Sequence, residues 1–117
     1  MDDQNLDALI FPGGALPAFK HGLSKELVVS LTYYWFANLL HFPAGIVPVT
    51  KVRKDEEGYY EDEELPVNQR DRFSAFSRQS MENSEGLPFS VQVMTRSYQD
   101  ELCLHVMKRI EDAMKMT

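Results

Sequence analysis

His41-Phe42-Pro43-Ala44-Gly45-Ile46-Val47-Pro48-Val49-Thr50 is the stretch on which the fold turns. Read locally, it is a helix stop followed by a strand. The residue before a proline is pushed out of helical geometry, so an upstream helix must end before Pro43. Residues 45–52 then read as a strand, and Pro48, which has no N–H for a ladder, predicts an edge position or a bulge. The helix that stops here covers about residues 24–40, with Ser24 as N-cap and Glu26 in the first turn, where the helix dipole favours it. Leu27, Leu31, Tyr34 and Trp35 follow helical spacing, yet Val28, Val29, Tyr33 and Phe36 fill the other faces. A helix apolar nearly all round is normally buried on every side. That demands more neighbours than a chain of 117 residues easily supplies.

Outward from this stretch the pattern alternates. Residues 6–11 form a short apolar run closed by Pro12-Gly13-Gly14, a strand and a turn. After the strand at 45–52 comes a run of carboxylates, Asp55, Glu56, Glu57, Glu61, Asp62, Glu63 and Glu64, which predicts a solvated, mobile acidic loop over 53–66. The net charge is −6, and these seven groups leave the remainder at about +1. The acidity therefore belongs to one loop, and no nucleic-acid partner is expected, since phosphate binding needs clustered Lys and Arg. Residues 68–82 show helical spacing at Phe73, Phe76, Ser77 and Ser80, a thin apolar stripe on a mainly polar helix. Phe89, Val91 and Val93 alternate with Ser90 and Gln92, the period of a strand with one greasy face. Ser97-x-x-Asp100 is a capping-box variant opening a last helix with Leu102, Val106, Ile110 and Ala113 as its core stripe. The reading is β-α-β-α-β-α. With 44% hydrophobic residues the chain can bury a core.

The search for chemistry returns little. Nucleophilic catalysis needs a Ser, Cys or Thr beside a base, with oxyanion donors near it. Ser74, Ser77, Ser80 and Ser84 fall on the polar helix or at its end, Ser90 falls in a strand, and no G-x-S-x-G elbow exists. The single cysteine, Cys103, sits among Leu102, Leu104 and Val106 and reads as a buried helix residue, suited to a reducing compartment. His21 and His41 lie in different loops without ligand spacing, while His105 and Cys103 are about 200° apart around one helix. The acidic run lacks the alternating oxygens and central glycine of a calcium loop. Gly13-Gly14 lacks a phosphate-loop pattern. No metal and no cofactor is expected. The acidic start Met1-Asp2-Asp3 predicts no targeting segment. Residues 27–40, interrupted by Ser30, Thr32 and Asn38, fall short of the roughly 20 apolar residues that span a bilayer.

Three pieces in order carry a resemblance: the Phe42-Pro43-Ala44-Gly45 segment, then Gly86-Leu87-Pro88-Phe89-Ser90-Val91-Gln92-Val93, then Asp100-Glu101-Leu102-Cys103-Leu104-His105. Together they resemble the last part of amidase-signature enzymes, most closely the C-terminal end of fatty acid amide hydrolases. The resemblance implies that residues 1–117 form the C-terminal β-α-β-α-β-α portion of a larger α/β fold, a mixed sheet flanked by helices. It implies a parent serine hydrolase that cleaves fatty acid amides through a Ser–Ser–Lys arrangement. No Gly/Ser-rich stretch of that kind stands in this sequence, so the chain alone is expected to be inactive, with no catalytic residue of its own. Counted back without a gap from Phe42 and from Gly86, the family's acyl-channel positions fall on Val28, Leu31, Trp35 and Phe73. The first three are spaced i, i+3, i+7 and share one helix face able to line an apolar tube; ordinary core is the competing reading of the same spacing. The implied partner is a fatty acid amide substrate in the complete enzyme. Self-association of the chain, and an intracellular setting, cytoplasmic or peripheral at an internal membrane for the parent, are further expectations. The contrasting reading is a non-catalytic interaction module that binds a partner through its apolar helix face.

Overall fold

The fold is that of a computed structural model, which describes residues 2–58, 66 and 71–116. In chain order the elements are β1 (Leu9–Pro12), α1 (Thr32–Leu40), β2 (Ala44–Lys51), α2 (Arg72–Met81), β3 (Pro88–Met94) and α3 (Asp100–Lys115), joined by short 3-10 turns. This is the alternation read from the sequence. The strand order is β1-β3-β2, and both pairings are antiparallel. β2 is thus an edge strand among the described residues, as Pro48 requires. Pro48 pairs with Ser90 and Thr50 with Phe89, so Val49 is the extra residue of a bulge.

Register assigns the two faces of the sheet. Val47 stands opposite Val91, and with Val93 and Cys103 of α3 it makes the core, against which Val106, Met107 and Ile110 pack. The core-facing stripe of α3 is therefore buried Cys103 with half-buried Val106, Met107 and Ile110. Leu102, equally half-buried, is not among the side chains packed on this core, and Ala113 is exposed, against expectation. The helix is drawn down over β2 at Gly45, where a Cβ would collide with the Met107 thioether. Phe11, Gln92 and Ile46 are in register on the opposite face. There α1 lies across the sheet, with Ala37 buried and Phe36 meeting Phe11 edge to face at 6.2 Å between centroids. Gln92, expected on a solvated face, is 3% exposed because α1 covers it.

The helix expected from residue 24 is interrupted. Two 3-10 turns, Leu23–Lys25 and Val28–Leu31, precede α1. Gly22, at φ 87°, opens the first, and Ser24 is no cap. Ser30 Oγ donates to the Leu27 carbonyl at 2.7 Å, and Thr32 Oγ1 donates to the Val29 carbonyl. Such side-chain bonds offer the backbone an alternative to the α-helical ladder, and Val28 and Val29 add β-branched crowding.

The Phe-Pro-Ala-Gly segment leaves α1 through His41 in the left-handed region (φ 55°), with the Phe42 N–H donating to the Ala37 carbonyl at 3.0 Å. Two bonds from beyond β3 then fix it. Thr95 N–H donates to the Pro43 carbonyl at 3.1 Å, and Ser97 Oγ donates to the His41 carbonyl at 3.0 Å. Ser97 is thereby used up as a clamp; the N-cap of α3 is Gln99, which makes no side-chain capping bond. At the other motif, Gly86 has φ 85°, its N–H donates to the Val52 carbonyl at 2.8 Å, and Val52 N–H donates to the Leu87 carbonyl at 2.9 Å. Nothing lies within 4 Å of a Cβ built there, so the demand for glycine is conformational. Gly86→Ala is expected to cost about 1–2 kcal/mol through left-handed strain. Calorimetry should show a melting temperature lower by about 5–10 °C, with Gly86→Asn recovering part of it. An unchanged melt for Gly86→Ala would refute the role.

α2 starts at Asp71, whose carboxylate accepts the Ser74 N–H at 2.7 Å. That bond holds the Asp71 carboxyl below its ordinary value, with the Ser74 hydroxyl assisting. A depressed folded value means the cap is intact above the ordinary carboxylate range and is lost as pH falls through the folded value. Wild type should therefore lose more stability than Asp71→Asn on acidification below about pH 4, measured by circular dichroism melts of both. Parallel pH profiles would show that the cap carries no such linkage. The inner face of α2 is not its phenylalanines. Ser77 and Ser80, with Ser84 just beyond the helix, are at most 2% exposed, whereas Phe73 and Phe76 are half-buried.

The first part of the expected acidic loop is ordered. Lys54–Glu56 forms a 3-10 turn in which Glu56 accepts the Arg53 N–H at 2.8 Å and pairs with its guanidinium at 2.9 Å. Glu57 accepts the Glu85 N–H at 2.8 Å. The remaining acidic residues, Glu61 to Glu64, lie outside the described residues.

Candidate functional site

The sheet and α1 decide what the apolar helix can offer. Tyr34 and Ala37 turn toward the sheet, half-buried and buried respectively. About 3.6 residues per turn then place Trp35 and Leu39 on the far side. Trp35 is 49% exposed and Leu39 76%, and Val28, Val29 and Phe36 are exposed with them. Among the described residues these large apolar side chains are left substantially exposed along one segment.

The four expected channel positions are distributed as follows. Val28 and Leu31 are the first and last residues of one 3-10 turn, in which positions three apart eclipse, and Trp35 follows one α-helical turn later. The three therefore still share a side, although by a different helical geometry from that expected. Val28 and Trp35 are exposed. Leu31 is half-buried and lines a hollow of about 180 Å³ with Leu16, Pro17, Phe19, Ser30 and Tyr34. Phe73 stands apart, half-buried near the start of α2, and takes no part in that hollow. Leu16, Pro17 and Phe19 line this hollow beside Leu31 and were not singled out by the sequence reading. Their signal was an apolar cluster directly after Gly13-Gly14, passed over as a turn.

The reactive side chains lie elsewhere. Cys103 is buried, its thiol donating to the Val93 carbonyl at 3.6 Å, and burial pushes its pKa up. A thiol so placed is a poor nucleophile. His21, His41 and His105 are all exposed. Among the described residues no three His, Cys, Asp or Glu side chains are grouped so as to hold a metal ion, and no helix is long and apolar enough to cross a membrane. On α3, Lys108 bonds Asp112 at 2.7 Å and Glu111 at 3.2 Å, raising its own pKa; Lys115 and Lys108 hold Glu111 below its ordinary value. These are solvated pairs of the outer helix face, and exposed pairs of this kind contribute little to stability.

A three-stranded sheet between two helices, with its motifs clamped at Pro43 and Val52, agrees with what comparison finds. Residues 1–104 match the Amidase family, and the chain belongs to that family. It is similar to fatty acid amide hydrolase 1 of Caenorhabditis elegans, with 34% identity over 116 residues, covering 97% of this chain and 19% of that protein. It is also similar to fatty-acid amide hydrolase 1 of Sus scrofa, with 32% identity over 110 residues, covering 94% of this chain and 18% of that protein. The chain thus spans about a fifth of the length of these curated relatives.

Proposed function

We propose that this chain is the C-terminal portion of a fatty acid amide hydrolase-type serine amidase, supplying scaffold and one wall of the acyl-chain channel. The parent enzyme hydrolyses a fatty acid amide to fatty acid and amine, and the Ser–Ser–Lys machinery comes from residues outside this sequence. The observation that carries this reading is the bare apolar flank of α1. Large hydrophobics left exposed in a contiguous patch mark a surface that something else covers. The dimensions agree: the radius of gyration is 16.5 Å, against about 13 Å for a compact domain of this length. In this role Val28, Leu31 and Trp35 face the alkyl chain, which needs only apolar area and no polar group. Phe73 is assigned to a separate stretch of the same wall, brought in by α2.

The test has two arms. The purified chain is incubated with a long-chain acyl amide and with a fluorophosphonate probe; neither hydrolysis nor covalent serine labelling is expected. The chain is then exchanged for the matching segment of the C. elegans enzyme, and the chimera should hydrolyse the same amide. Labelling of a serine in the chain alone, abolished by substituting that serine, refutes the reading. So does a folded chimera that is inactive on every acyl amide.

A further inference from the structure

Both outer strands have a free side among the described residues, and the two sides are built differently. Residue pairs across antiparallel strands alternate: one pair exchanges N–H···O bonds, and the next points its polar groups away from the partner strand. Gly13 N–H donates to the Ser90 carbonyl at 3.0 Å, which sets the phase of β1. Phe11 and Leu9 then bond β3, while the N–H and C=O of Ile10 point outward. On the other side Thr95 N–H donates to the Pro43 carbonyl at 3.1 Å, so Gly45 and Val47 bond β3, and Ala44, Ile46 and Pro48 point outward. Pro48 therefore presents its missing N–H to the open side, and the bulge at Val49 follows it. A proline and a bulge are two devices by which native edge strands refuse a neighbour. Leu9-Ile10-Phe11 has neither, and no charge; the proline of β1 is its last residue. The Ile10 side chain is a second observation. It stands beside Val93 on the face that carries α3, yet Val93 is fully buried and Ile10 is 58% exposed, because α3 lies over β2 and β3.

We propose that the β1 edge is where a further strand, from the remainder of the parent enzyme, joins this sheet. A donor and an acceptor side by side on an extended backbone are matched by another extended backbone, which exchanges both bonds at once. A strand laid there bonds Ile10 and places its own side chains over the part of the face that α3 leaves bare. The chain spans about a fifth of the length of its relatives, so polypeptide to supply the strand exists outside this sequence. The docking strand belongs to the larger hydrolase proposed above and rests on that reading; what it adds is the edge on which the rest of that molecule is built.

The experiment is amide hydrogen exchange on the chimera described above, read by mass spectrometry on overlapping fragments that isolate Ile10. Its amide is expected to exchange at least about a hundredfold more slowly than an unstructured one, because it is released only when the sheet opens. Ile10→Pro removes the donor without touching a bond to β3, so the isolated variant should keep its far-UV circular dichroism. In the chimera the same substitution should lower the melting temperature by at least about 2 °C, while Ile10→Val, which keeps the donor, leaves it unchanged. An Ile10 amide that exchanges at the unstructured rate in a folded chimera overturns the proposal, and so does an unchanged melt for the Ile10→Pro chimera. Neither result depends on whether the chimera hydrolyses an amide, which separates this failure from failure of the hydrolase reading. Protection of Ile10 in the concentrated isolated chain, but not in the chimera, would give the edge to a second copy and also overturn the proposal. Should Ile10→Pro fail to fold, exchange in the wild-type chimera alone decides.

Discussion

A carboxylate at Leu31 is expected to cost a long-chain acyl amide about fiftyfold in kcat/KM while the shortest amide stays near wild type. Each buried methylene is worth roughly 0.8 kcal/mol, and loss of contact with three of them gives about 2.4 kcal/mol. The measurement is a series of acyl amides of increasing length, assayed on the chimera carrying Leu31→Asp. Leu31 is half-buried in its own hollow beside Leu16 and Phe19, so a charge there also disturbs the packing of this chain. Trp35→Asp separates the two effects, because Trp35 is exposed and its removal breaks little within the chain. Progressive loss with chain length in both variants supports the wall. Equal loss at every length, with a lower melting temperature for Leu31→Asp and no effect of Trp35→Asp, would mark Leu31 as core alone.

The isolated chain is expected to associate at micromolar concentration, and the double variant Trp35→Glu, Leu39→Lys to release it as a monomer. Covering two large apolar side chains contributes about 4 kcal/mol, roughly a thousandfold in the association constant. Sedimentation velocity of both proteins reads this directly. A wild-type chain that is monomeric, melts cooperatively and binds no hydrophobic dye would show that the α1 flank is no docking surface. Association unchanged in the double variant would place the contact elsewhere, at an open strand edge of β1 or β2.

Where pattern and packing pull the same way, the sequence was legible. The alternation of Phe89, Val91 and Val93 located β3, Pro48 pointed to an edge or a bulge where the structure has both, and Cys103 was read as buried. Polarity was taken as a guide to exposure at Gln92, which is inward because α1 lies over it; on α2 the expected stripe is buried at its serines, Ser77 and Ser80, and only half-buried at Phe73 and Phe76. Ser24 and Ser97 look like caps in sequence. Gly22 opens the first turn instead, and Ser97 bonds a carbonyl 56 positions away, a partner that no local pattern reveals. The channel positions came from resemblance. Periodicity alone could not separate wall from core at Leu31, since the same spacing serves both and only the far side of α1 distinguishes them.

The placement of β3 between β1 and β2 has a consequence for how the chain is made. Leu9 pairs with Met94, 85 positions later, and among the described residues β2 likewise pairs with β3 alone. On the ribosome, the first two strands must therefore wait for the last. At roughly 5–20 residues per second, the 36 residues between Lys51 and Pro88 take about 2–7 s to appear. Throughout that interval β1 and β2 lack their β3 partner beside an apolar helix. Loop closure over such distances is slow in its own right. A chain shortened to before Pro88 would lose the partner of both strands at once, and the loss would be felt first as poor yield.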